Sequence, residues 1–126
     1  MSITDEYNLA LQLYNTGKLT QAKQGFLCCL KQQPNFFNAH FMLGNIYLQL
    51  QEYKESLRAY KKALQLNPTF TPTYNNIANI FTLANQNKKA LKYLKLALKQ
   101  NKTCTGTLYN LANFYKKALN LTILDH

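Results

Sequence analysis

The sequence predicts an all-α fold, an α-solenoid of about three and a half helix-turn-helix units forming a single domain over 1–126. Three observations carry this. Pro34 and Pro68 stand 34 residues apart. Frames of that length align residues of like size along the whole chain. Within each frame the apolar residues recur at helical spacing rather than alternating as strands would. The 126 residues suit one domain, and a 47% hydrophobic content is enough for a core.

The frames are 3–36, 37–70 and 71–104, with a partial fourth over 105–126. Leu9, Leu43, Ile77 and Leu111 share one position; Ala10, Gly44, Ala78 and Ala112 share the next; Leu13, Tyr47, Phe81 and Tyr115 stand three further on. Later in the frame Ala22, Ser56 and Ala90 align, then Phe26, Tyr60 and Leu94, then Cys29, Ala63 and Ala97. Each frame therefore reads as two helices of about fourteen residues joined by a short turn. In the first unit Gly17 suits that turn because glycine tolerates the left-handed conformation that ends a helix, and Pro34 closes the second helix. The second unit pairs a Leu43, Gly44, Tyr47 face with a Ser56, Tyr60, Ala63 face, ended by Pro68. In the third, Thr71-Pro72 reads as an N-cap with proline at the first helical position. Ile77, Ala78, Phe81 and Ala84 then form a face, Asn85 and Asn87 turn the chain, and Ala90, Leu91, Leu94, Ala97 and Leu98 form the second face. The small residues Gly44, Ala78 and Ala112 mark helix crossings, filled in the second and third units by Tyr60 and Leu94.

The fourth frame holds one clear helix. Its tail, 118–124, is too short for a second, and Leu119, Leu121, Ile123 and Leu124 look under-covered beside Lys116 and Lys117. Two outcomes are open: the tail folds back as an extended capping helix, or it docks against another chain to give a homo-oligomer.

Leu43-Gly44, Tyr47, Ser56, Tyr60, Ala63 and Pro68 together resemble the tetratricopeptide repeat, and the likeness extends over nearly the whole chain. The family's aromatic near each start falls on Glu6, His40, Tyr74 and Leu108, of which Tyr74 alone keeps it, and Lys102 replaces the closing proline. The resemblance implies a right-handed superhelix whose first helices line a concave groove. It also implies that the ligand is another protein or peptide.

One residue type dominates the groove face of those first helices. Asn45, Asn79 and Asn113 recur every 34 residues, and Asn8, Asn76 and Asn110 form a second row, broken by Met42. Spacing of three places Asn76 beside Asn79 and Asn110 beside Asn113. Asn75-Asn76-Ile77-Ala78-Asn79 and Asn110-Leu111-Ala112-Asn113 are similar to the repeats of O-linked N-acetylglucosamine transferases. That likeness implies a ladder of asparagines holding the backbone of an extended peptide. A side-chain amide both donates and accepts, so it can pair with a peptide unit as a neighbouring strand would. Adjacent repeats would place these amides roughly 10 Å apart, about three residues of extended chain. Asn8, Asn45, Asn75, Asn76, Asn79, Asn110 and Asn113 are the candidate groove residues, with Phe41, Tyr109, Tyr7 and Tyr14 as aromatic neighbours. The competing explanation is a merely solvated face in an asparagine-rich chain, with the aromatics as packing residues.

The chain carries 15 Lys+Arg against 5 Asp+Glu, a net charge of +10. Lys88, Lys92, Lys95, Lys99 and Lys102 step by four and three along the third unit's second helix, and Lys54, Arg58, Lys61 and Lys62 do so in the second. These stripes read as the convex back. They leave a second function open: electrostatic binding of an acidic protein, a nucleic acid or a membrane surface. Nucleic-acid readout is disfavoured because Arg58 is the sole arginine and no nucleic-acid-binding motif is present. A chaperone for secreted proteins, as some three-repeat family members are, is a further alternative.

No catalytic constellation assembles. The acids Asp5, Glu6, Glu52, Glu55 and Asp125 form no inward pair, His40 sits at a packing position, and His126 ends the sequence. Neither a phosphate loop nor metal-ligand spacing occurs, so no enzyme activity, cofactor or metal is expected. Cys28, Cys29 and Cys104 are expected as free, mostly buried thiols. With no secretory signal and no membrane-spanning run, the sequence reading places the chain in the cytoplasm.

Overall fold

Seven helices account for the architecture of the described residues. The computed structural model describes residues 1–124, with side chains through Asn120, and no strand occurs among them. The helices are α1 (Ile3–Asn15), α2 (Leu19–Gln32), α3 (Phe37–Gln49), α4 (Tyr53–Leu66), α5 (Thr71–Leu83), α6 (Asn87–Gln100) and α7 (Thr105–Leu124). They divide into two compact units, one over Met1–Pro68 holding α1–α4 and one from Thr69 holding α5–α7. Within them α1 pairs with α2, α3 with α4 and α5 with α6 as antiparallel hairpins, the helical-hairpin packing of an α-solenoid.

The turns repeat atom for atom. Gly17, Gln51 and Asn85 all adopt positive φ (80°, 61° and 58°), one per hairpin at the 34-residue period. In each turn the following N–H reaches back five residues: Lys18 to the Leu13 carbonyl, Glu52 to Tyr47 and Gln86 to Phe81, all at 2.8 Å. The left-handed residue's own N–H bonds Tyr14, Leu48 and Thr82 at 3.0–3.1 Å. This double bond pattern satisfies carbonyls that a helix end leaves open. Asn87, expected in the turn, instead begins α6. The second helices end at Gln32 and Leu66, two residues before each proline. Without a proline, α6 still stops at Gln100, where Asn101 Oδ1 accepts from the Thr103 N–H (3.2 Å) and hydroxyl (3.1 Å). Ser2 caps α1, accepting from the Asp5 N–H at 3.1 Å. The cap of α5 falls one residue earlier than the sequence suggests: Phe70 is the N-cap, Thr71 is buried inside the helix, and Pro72 follows it.

Packing follows the small-against-large frame. A Cβ added to Gly44 would stand 2.4 Å from two ring carbons of Tyr60, and one on Gly25 would stand 2.8 Å from the Ala10 Cβ. Ser56 fills a fully buried slot and donates to the Gly44 carbonyl at 2.7 Å. The first unit's core gathers Ala10, Phe26, Cys29, Leu43 and Ile46; the second buries Tyr74, Ile77, Ala78, Phe81, Leu94 and Ala97. Tyr7 packs its ring 5.6 Å from Phe26 and 5.1 Å from Phe36, and burial pushes its phenol pKa up. The Tyr14 hydroxyl accepts from Gln49 Nε2 at 2.6 Å. Both tyrosines hold α1 against its own unit.

Three expectations need correction. Leu9 aligns with core residues yet is 46% exposed, because α1 packs on α2, whereas α3 packs on both α4 and α2. Ala112 is exposed, since no second helix covers α7 among the described residues. Of the thiols only Cys29 is buried; Cys28 is exposed and Cys104 lies between. Nor does the tail of the fourth frame fold back: it continues α7 as one helix to Leu124. The roles suggested for the side chains of Leu121, Ile123 and Leu124, and for Asp125 and His126, lie outside the described residues.

Candidate functional site

In the second unit α5 supplies Asn75, Asn76, Asn79 and Thr82, and α7 supplies Asn110, Asn113, Phe114 and Lys117. Steps of three and four keep each set on one side of its helix. The opposite side of α5 is taken by Ile77, Ile80 and Phe81, all buried. Together the two sets line a hollow of about 410 Å³, with buried Ala78 and Leu94 adding apolar surface. Asn79 and Asn113 are exposed, while Asn75, Asn76 and Asn110 are half-buried. The Thr107 hydroxyl, fully buried, donates to Asn75 Oδ1 at 3.1 Å and ties α7 to α5. Asn75 therefore serves the wall of the hollow as well as its lining.

Chemically the hollow offers side-chain amides, one threonine hydroxyl and one ammonium group. Amides donate and accept without titrating, which suits pairing with peptide N–H and C=O groups. Lys117, Phe114 and Thr82 were not picked out by the alignment of asparagines. Lys117 was legible as the residue four after Asn113, on the same side of α7. The volume falls within the range of small-ligand clefts.

The remaining candidates stand elsewhere. Asn8 (α1, exposed) and Asn45 (α3, half-buried) belong to the first unit. Asn45 Oδ1 accepts the Tyr60 hydroxyl, and its amide nitrogen lies 3.8 Å from Met42 Sδ. Phe41 is a packing ring, 6.1 Å from Phe37 and 5.8 Å from Tyr60 between centroids. Tyr109 is 67% exposed and does not line the hollow. Lys88, Lys92, Lys95 and Lys99 share a shallow surface depression on α6 with Leu91 and Leu96. Lys102 is not part of that helical stripe, because α6 ends at Gln100 and Lys102 lies in the turn beyond.

Among the described residues no three His, Cys, Asp or Glu side chains group to hold a metal ion. No described helix is long and apolar enough to cross a membrane.

Comparison with known proteins gives a consistent pattern. The tetratricopeptide repeat family matches residues 37–70 and again 71–104, more than half of the chain together. No curated protein matches. Among solved structures, the crystal structure of MamA superposes with a TM-score of 0.78 at 22% identity over 80% of this chain. The chain spans 59% of MamA's length. A likeness at that identity speaks for the fold alone.

Proposed function

We propose, on the premise that this chain belongs to the tetratricopeptide repeat family, that it is a protein-interaction module gripping the main chain of an extended partner segment. The observation that carries this reading is the convergence of Asn75, Asn76, Asn79, Asn110 and Asn113 on one hollow of the second unit. Asn79 and Asn113 act as the reaching groups because both are exposed. Asn76 and Asn110 back them from half-buried positions, and Lys117 favours a carbonyl or an acidic side chain at one edge. The likeness of these strings to O-linked N-acetylglucosamine transferase repeats supports the same use of amides. Asn8 and Asn45 offer amides of the same kind within the first unit, with Asn45 already oriented by Tyr60. No catalytic role is proposed. The proposed setting is the cytoplasm, where three free thiols stay reduced.

The test starts from displayed random peptides panned on the purified chain. Selected peptides should bind the wild type, lose roughly tenfold or more in affinity to the Asn79→Ala/Asn113→Ala pair, and change little with added salt. A second reading rests on the α6 lysines, whose shared depression is a ready basic surface. It predicts the reverse: steep loss with salt, sensitivity to Lys92→Ala/Lys95→Ala, and indifference to the asparagines.

A further inference from the structure

We infer a second docking surface, on the outer side of α7, that takes an acidic amphipathic helix of a partner protein. Leu108, Ala112, Tyr115 and Leu119 follow steps of four, three and four, so they form one stripe along the helix. At 100° per residue the stripe lies roughly opposite Asn110 and Asn113, on the far side of α7 from the asparagine-lined hollow. All four are exposed, Leu108 at 46%, Tyr115 at 52% and Leu119 at 60%.

The repeat itself states what belongs there. One period earlier, Tyr74, Ala78 and Phe81 occupy the same positions on α5, and all three are buried. What covers that face is α6, which packs along α5, sets Tyr93 5.6 Å from Phe81 and brings Leu94 to the hollow that Ala78 lines. On α3 the equivalent Gly44 receives the Tyr60 ring from α4. The stripe on α7 is thus the half of a hairpin interface whose other half is a second helix. Residues 119–124 do not supply it by turning back: α7 runs on through Leu119, the position at which Gly17, Gln51 and Asn85 turn the earlier hairpins.

Charge selects the kind of helix. Lys116 flanks the stripe, the described side chains of α7 include no acid, and the whole chain stands at +10. A copy of its own second helices would bring like charge, since α6 carries Lys88, Lys89, Lys92, Lys95 and Lys99. The fitting occupant has the apolar face of α6, Ala90, Leu94 and Ala97, with acidic residues around it.

A labelled synthetic peptide of residues 87–100 carrying Lys88→Glu, Lys92→Glu, Lys95→Glu and Lys99→Glu tests this by fluorescence anisotropy on the full chain. It should bind saturably, and more tightly than the same peptide with its lysines intact. Ala112→Arg should weaken binding roughly tenfold or more, Lys116→Glu by less, and Asn79→Ala/Asn113→Ala not at all. All the changed α7 positions are exposed, and a circular-dichroism melt checks that the variants fold. No saturable binding, or binding indifferent to Ala112→Arg, overturns the proposal. So does sedimentation showing a dimer of the purified chain that Ala112→Arg dissociates, because a second copy would then be the occupant.

Discussion

A single methyl group is enough to disturb the crossing of α3 and α4. The Tyr60 ring lies where a Cβ on Gly44 would be, and its hydroxyl is anchored to Asn45, so the ring cannot swing aside without breaking that bond. Gly44→Ala is therefore expected to destabilise the protein by about 1–3 kcal/mol, read as a lower urea midpoint. The third repeat supplies the remedy, since there Ala78 takes the place of Gly44 and Leu94 that of Tyr60. Tyr60→Leu added to Gly44→Ala should recover part of the loss. An unchanged midpoint in the single variant would mean the crossing is looser than drawn. The same substitution pattern separates the asparagines: Asn45 has a hydroxyl to orient it, whereas Leu94 offers Asn79 none. This is one physical reason why the exposed Asn79 is the better candidate for reaching a ligand.

The hairpin turn shows what a sequence reveals at the level of elements and what it conceals. Gly17 and Asn85 announce a left-handed residue, and both have one. Gln51 does not, because glutamine has no preference for that conformation; only its distance of one period from each of them places it there. A residue with a Cβ in this region costs roughly 1–2 kcal/mol relative to glycine. Gln51→Asn should therefore raise the melting temperature, with a gain below about 1 kcal/mol. A lower melting temperature would show that the side chain of Gln51 supports the turn in some other way. Asn87 was misplaced for a related reason: asparagine signals turns and helix starts alike, and here it opens α6. The end of α7 was the least legible element. The frame suggested a chain that folds back near residue 119, but the position equivalent to Gly17 and Asn85 is Leu119, and the helix continues.

For the molecule as a whole, charge and repetition act together. Fifteen basic against five acidic residues leave the folded chain repelling itself, most densely along α6, where Lys88, Lys92, Lys95 and Lys99 are like-charged neighbours. Raising ionic strength from about 0.01 M to about 0.15 M should increase the melting temperature. Lys95→Glu should increase it at low salt and blunt the salt effect, and a melting temperature falling with salt would contradict this. The period also made most of the candidate site readable, because Asn76 and Asn79 on α5 and Asn110 and Asn113 on α7 stand at matching positions and so share a side of their helices. What it could not supply was the company they keep: Lys117 and Phe114 reach the hollow only because α7 continues past Asn113 in helical register. The fold followed from the size and spacing of residues along the period, while the binding role depends on amides pairing with a main chain. Methylating main-chain nitrogens of a selected peptide, one at a time, measures that dependence most directly. The account predicts that methylation at alternate positions lowers affinity roughly tenfold or more while exchanging side chains at those positions changes it little. Affinity that tracks the side chains and ignores the methyl groups would contradict it.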